Sequence, residues 1–223
     1  MQQKAPKRTR ERILDLSLKL FNDFGEPNIT TTVIAEEMNI SPGNLYYHFR
    51  NKDDIVNSIF SQFEEEISKK LAFPTGRKAN VDDIWLYLHL MYELIWRYRF
   101  FYRDLNDLLS RNRKLELNFK QILAHKIQVA RELCLGLRDD EAFVGSDTEI
   151  DALATNMVVL ATYWLSFEYV RNPRKYTEHD AVSDCLVRGC YQVLVLISPY
   201  LCGETSVQFQ QKTQEYLLKL KRS

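Results

Sequence analysis

The chain has 223 residues, 45% hydrophobic and 27% charged, which supports a sizeable core and excludes global disorder. Thirty basic residues balance thirty acidic ones, so the whole-chain charge announces no nucleic-acid or other charged partner. Only seven Gly and six Pro occur, without long apolar–polar alternation, which argues against a sheet-rich fold and predicts an all-α protein.

Charge is uneven at the start. Residues 1–12 carry Lys4, Lys7, Arg8, Arg10 and Arg12 against Glu11 alone. Such an arm can meet phosphates or act as a solubilising tail. The first helix is expected from Arg8 to Gly25, with Ile13, Leu16, Leu20, Phe21 and Phe24 as its core stripe and Gly25 at C′. Glu26-Pro27-Asn28 then turns the chain. Thr30 or Thr31 caps a second helix that buries Ile34 and Met38, with Ala35 small enough for the next helix to approach. Asn39 marks the exit, because asparagine tolerates the left-handed conformation.

Ser41-Pro42 starts a third helix, an N-cap followed by proline at the first helical position. Leu45 and Phe49 form its buried face. Asn51 caps a fourth helix, with Asp53 and Asp54 in its first turn and Ile55, Ile59, Phe63, Ile67 and Leu71 inside. Phe73-Pro74-Thr75-Gly76 ends it. Further helices are expected at roughly 81–100, 103–111, 113–138, 147–171, 178–199 and 205–221.

The second and third helices read as a helix-turn-helix, which lays its second helix in the major groove of DNA. Pro42 and Gly43 open that helix, and glycine lets backbone come close to the duplex. Asn44 can donate to and accept from a base edge, with adenine preferred. Tyr46 and Tyr47 can bond phosphates or touch thymine methyls, and His48 and Lys52 can hold phosphates on the flank. Thr30 and Thr31, with the N–H groups of their helix, offer another phosphate site. Taken singly, each has a plainer reading: Tyr46 as a core aromatic, His48 as a surface histidine, Lys52 as a solvated helix-end charge.

Residues 8–60 resemble the DNA-binding domain of the TetR family of bacterial regulators. The matching pieces are Arg12-Ile13-Leu14, Leu20-Phe21, Phe24-Gly25, Thr30-Thr31, Ile34-Ala35, Ile40-Ser41, Gly43 through Phe49, Lys52 and Ile55. Asn39 stands where the family commonly has glycine, and Glu26-Pro27 where it has a small or aromatic residue. The resemblance implies a three-helix DNA-binding domain over residues 1–54 and a ligand-binding and dimerisation domain over 55–223. It also implies an Ω-shaped homodimer, whose late helices, around 147–171 and 178–199, form a four-helix bundle with the partner.

Residues 85–102 are rich in aromatics, with Arg97, Arg99 and Arg103 interleaved or adjacent. They make either a pocket wall, with an arginine for an acidic ligand, or ordinary core, and core is the reading for most of them. A pocket, if present, takes Tyr92, Trp96, Phe119 and Trp164. Ala161, Ser183 and Gly189 are small enough for close helix packing.

Cys134, Cys185, Cys190 and Cys202 lack metal-ligand spacing and read as buried thiols of a reducing compartment. The polar start carries no signal-peptide pattern, and the apolar run Met157–Leu165 is too short to span a bilayer, so the expectation is a cytoplasmic protein with no membrane partner. No phosphate loop, metal cluster or nucleophile–base pair stands out, so neither an enzyme nor a cofactor is expected. The expected function is a dimeric repressor that binds double-stranded DNA at a palindromic operator and is released by a small-molecule ligand. The alternative is a DNA-binding regulator controlled by a protein partner, or without a small-molecule effector.

Overall fold

A computed structural model describes residues 9–70, 80–172 and 179–220. The basic arm before Thr9, the Phe73–Gly76 terminator, and the side chains of Ser183 and of residues from 215 onward lie outside the described residues. The described residues are all-α, with one isolated backbone bridge, Phe143 to Leu201, and no strand. Eleven helices are described: α1 Thr9–Phe24, α2 Thr31–Glu37, α3 Pro42–His48, α4 Lys52–Lys70, α5 Val81–Arg97, α6 Arg99–Arg103, α7 Leu105–Arg111, α8 Arg113–Asp139, α9 Asp147–Arg171, α10 His179–Ile197 and α11 Gly203–Leu220.

The chain divides into two compact units. The first holds the described residues up to Glu65 together with Tyr98–Asn118, and the second holds Glu66–Arg97 with Phe119 onward. Residues 98–118, which the sequence reading assigns to the sensing part, thus pack with the helix-turn-helix.

In the first unit α1 ends at Gly25, whose φ of 87° is a conformation glycine adopts without strain. Ile13, Leu14, Leu20 and Phe21 form the buried face of α1. Leu16, expected in that stripe, is half-buried, and Phe24, expected with it, is 59% exposed. The end of the helix is covered by Arg103 instead, which donates to the carbonyls of Phe21 at 2.7 Å and Asn22 at 3.2 Å. A cation on the terminal carbonyls satisfies groups that have no partner inside the helix. Phe100 and Phe101 pack on Phe21, Phe60 and Phe63 at centroid distances of 5.2–5.9 Å. The second half of the aromatic run is therefore core of the first unit.

In the second unit α10 packs against α5, α9 and α11. Ser146 and Glu149 form a reciprocal capping box that starts α9. Gly189 sits where a Cβ would stand 2.7 Å from both Tyr92 and Trp164, so the small residue serves packing within the unit. As a whole helix, α9 is long and apolar enough to cross a membrane by length and composition, although its longest apolar run is short. Half of that apolar window is buried inside the protein. Its apolarity comes from having two apolar faces. Met157, Ala161, Trp164 and Leu165 point inward, whereas Val159, Tyr163, Phe167 and Val170 are exposed at helical spacing.

Candidate nucleic-acid interface

Local chemistry places the recognition helix. The Thr30 hydroxyl accepts from the Val33 N–H at 3.3 Å and starts α2. Asn39 leaves that helix with φ 58°, the left-handed conformation expected of it. The Ser41 hydroxyl then accepts from the Asn44 N–H at 3.2 Å, with Pro42 at the first helical position of α3. Ile34, Ala35, Leu45 and Phe49 are buried and fix α3 against α2. Asn51 accepts from the Asp54 N–H at 2.8 Å and starts α4.

The opposite face of α3 is bare. Pro42, Gly43 and Asn44 are exposed, as are Tyr46 and Tyr47, and His48 is half-buried. Tyr47 is 84% exposed and meets the His48 ring edge-on at 5.1 Å. The Tyr46 hydroxyl hydrogen-bonds with Thr31 Oγ1 at 3.2 Å, joining the start of α2 to α3. A Cβ on Gly43 would find only Ser41 Oγ, at 3.9 Å, and Gly43 has an ordinary helical φ. Nothing among the described residues requires glycine there. Thr30, Thr31, Pro42, Gly43, Asn44, Tyr46, Tyr47 and His48 therefore fall on one patch of the first unit.

Lys52 differs from that set. Its ammonium donates to the Glu26 carbonyl at 3.0 Å and stands 3.0 Å from Glu26 Oε1, an ion pair without a well-directed hydrogen bond. Glu26 is fully buried. Its other carboxylate oxygen accepts from Arg111, which also reaches Asp107 at 3.0 Å and Asp53 at 3.5 Å. Burial alone would lower the Arg111 pKa, but Glu26 and Asp107 outweigh it and raise it. The Glu26 N–H donates to Asp104 Oδ2 at 3.1 Å, and Asn112 donates to Asn57 at 3.1 Å. Sequence reading notes Glu26 only as a departure in a loop and passes over Arg111. The available signal is a carboxylate between the apolar residues Phe24 and Ile29. Arg10, in the first turn of α1, lies 4.8 Å over the Phe49 ring and 3.1 Å from Ser58 Oγ.

The arginines considered for an acidic ligand have structural partners. Arg97 pairs with Glu66 at 2.9 Å, Arg99 with Asp23 at 2.9 Å, and Arg103 holds the end of α1. Of the four pocket candidates, Tyr92 and Trp164 meet over Gly189, and Trp164 donates to the Cys185 carbonyl at 2.8 Å. Phe119 is buried and Trp96 half-buried. A polar cavity of about 140 Å³ opens elsewhere in the unit, lined by Asn80, Asp82, Asp140, Thr205 and Gln208 among others, and includes none of the four.

Sequence reading also misses Lys126, fully buried on the core face of α8 in register with Ile122, Val129 and Leu133. Burial pushes its pKa down to about 7. Cys134, Cys185 and Cys190 are buried as expected, whereas Cys202 is half-buried. Burial pushes the Cys134 and Cys185 thiols up to about 12. No group of three or more metal-ligating side chains occurs among the described residues.

Residues 13–59 match the family described as bacterial regulatory proteins, tetR family, and residues 62–209 match a second TetR family described as bacterial transcriptional repressor. An HTH-type transcriptional regulator of Staphylococcus aureus is 42% identical over 52 residues, 23% of this chain and 28% of that protein. The match to such curated relatives thus spans little more than a quarter of their length. A solved TetR-family regulator from Marinobacter aquaeolei is 34% identical with a TM-score of 0.85, covering 94% of this chain and 99% of the other. A regulator from Saccharomonospora viridis, solved in complex with choline, shares the fold at 19% identity and a TM-score of 0.59, covering 81% of this chain and 92% of that one.

Proposed function

Because this chain belongs to the TetR family of bacterial transcriptional regulators, we propose that it is a dimeric repressor, released from a palindromic operator by a small-molecule ligand. It regulates transcription by binding DNA. The exposed face of α3 carries the finer reading, above all Gly43, which the fold itself does not need. That face offers Asn44 to a base edge and Tyr46, Tyr47 and His48 to phosphates or thymine methyls. Thr30 and Thr31 flank it on α2. Residues 1–54 carry the reading function, and the 55–223 part carries sensing and dimerisation, with 98–118 packed on the reading residues in the first unit.

Dimerisation is supported by the outward stripe of α9. Four large apolar side chains at helical spacing exceed what scattered surface residues explain. A second copy of the same face covers them, with α10 beside it. Two recognition helices then meet successive major grooves, ~34–36 Å apart. A ligand that favours another spacing releases the DNA.

A ligand in the second unit is supported by buried polar groups. The Tyr87 and Tyr92 phenols and the Thr162 hydroxyl lack hydrogen-bond partners among the described residues. Each such group costs roughly 1–3 kcal/mol unless something reaches it. Tyr92, Trp164, Phe119 and Trp96 remain the proposed lining. The choline bound by the Saccharomonospora protein illustrates a small molecule on this fold. The four free thiols fit a cytoplasmic regulator, which carries out no catalysis and needs no cofactor.

The test is fluorescence anisotropy on operator DNA. Asn44→Ala and Tyr47→Ala should each weaken binding at least about tenfold, the value of one good contact, with unchanged melting temperature. Native affinity in both variants would remove α3 from the interface.

A further inference from the structure

The Glu26 carboxylate is buried between two cations from different helices. Lys52 is the first residue of α4, and Arg111 is the last of α7. The two cations share this carboxylate, and they meet it in different geometries. Arg111 makes the directed hydrogen bond to the carboxylate and is further held by Asp107 and Asp53. Lys52 lacks a directed bond to the carboxylate, donates a hydrogen bond to the Glu26 carbonyl, and keeps 24% of its side chain exposed. The directed hydrogen bond to the carboxylate thus comes from Arg111, while Lys52, four residues after α3, stays partly exposed.

We propose that Arg111 is a positioning residue for DNA binding: by neutralising Glu26 it leaves the Lys52 ammonium available to a backbone phosphate. Arg111 acts through Glu26 and does not itself contact DNA. Without Arg111, Glu26 claims Lys52 for itself and the phosphate contact is lost. The inference rests on the DNA-reading role proposed above. It gives Glu26, a departure from the family pattern, a specific consequence. The α6–α7 segment, packed with the helix-turn-helix in one unit, would set how strongly the start of α4 attracts DNA.

The experiment measures affinity for a random-sequence duplex across a salt series, because phosphate contacts do not depend on sequence. Each phosphate neutralised contributes about 0.9 to the slope of log K against log salt. Arg111→Gln and Lys52→Gln should each make that slope shallower by about 0.9 per protomer, about 1.8 for the dimer, and the double variant should lose no more than either. Glu26→Gln should not make it shallower, and Glu26→Gln combined with Arg111→Gln should restore the native slope. Arg111→Lys, which keeps the cation, should rescue most of it. Thermal unfolding is recorded alongside, since a merely structural role lowers the melting temperature and leaves the slope alone. A native slope in Arg111→Gln, or a loss that Glu26→Gln fails to reverse, overturns the proposal. If Arg111→Gln does not fold, a native slope in Lys52→Gln overturns it instead. Native protein that binds no DNA at low salt overturns the DNA-reading role as well, and so separates the two failures.

Discussion

Gly43 and Lys126 show how a single residue can be costly to the fold and informative about its use. Glycine in a helix is about 1 kcal/mol less favourable than alanine, and the space around Gly43 would accept a methyl group. Gly43→Ala should therefore leave stability equal or raise it by up to about 1 kcal/mol in chemical denaturation, while weakening DNA binding. Equal binding would mean that no partner approaches that backbone. Lys126 has a pKa near 7 in the folded protein against 10.5 ordinarily. Between those values the unfolded chain holds more protons, so this residue makes stability rise with pH from about 7 towards 10.5. The full range is on the order of 4–5 kcal/mol at 1.36 kcal/mol per pKa unit. Lys126→Met should flatten that rise and stabilise the protein most below pH 7. A pH dependence of unfolding that matches native would place the lysine's charge elsewhere in the balance.

At the scale of elements, α9 connects packing to assembly. Its inner face is fixed by Trp164 and Tyr92 over Gly189, and its outer face presents Val159, Tyr163, Phe167 and Val170. Tyr163 and Phe167 are 46% and 54% exposed, so charges there disturb little inside the protomer. Tyr163→Glu with Phe167→Glu should give a folded monomer in sedimentation, with operator affinity reduced by orders of magnitude. A variant that sediments like native protein would remove this face from the dimer. The elements themselves were legible where the signal is local. Ser41-Pro42, Thr30, Asn51, Gly25 and Asn39 set caps and turns within a few residues, and the structure places each in that role. The break of the run 81–100 into α5 and α6 at Tyr98 was not legible, nor was the exposure of Phe24. Both follow from residues 98–104 packing against α1, a contact that no periodicity within either segment reports.

For the whole molecule, composition and motif order predicted the all-α architecture and the family. What they could not supply was pairing across distance. Glu26 finds Arg111 85 residues away, and Arg103 finds Phe21 82 residues away. A charge reads the same in sequence whether it ends in solvent, on a ligand or on the end of a helix. The same ambiguity left Arg99 and Arg103 as ligand candidates until the structure showed their partners. It also leaves the pocket residues as proposals, because Tyr92 and Trp164 pack as core while the Tyr92 phenol has no partner among the described residues. The proposed function stands or falls with α3 reading DNA for a dimeric regulator. The most direct measurement is capture of sheared genomic DNA from the source organism by native protein and by the Asn44→Ala, Tyr47→Ala double variant, followed by sequencing. Native protein should recover a few short inverted repeats upstream of genes, and the variant should lose them. Equal recovery by both, or nothing above background with native protein at low salt, would contradict that function.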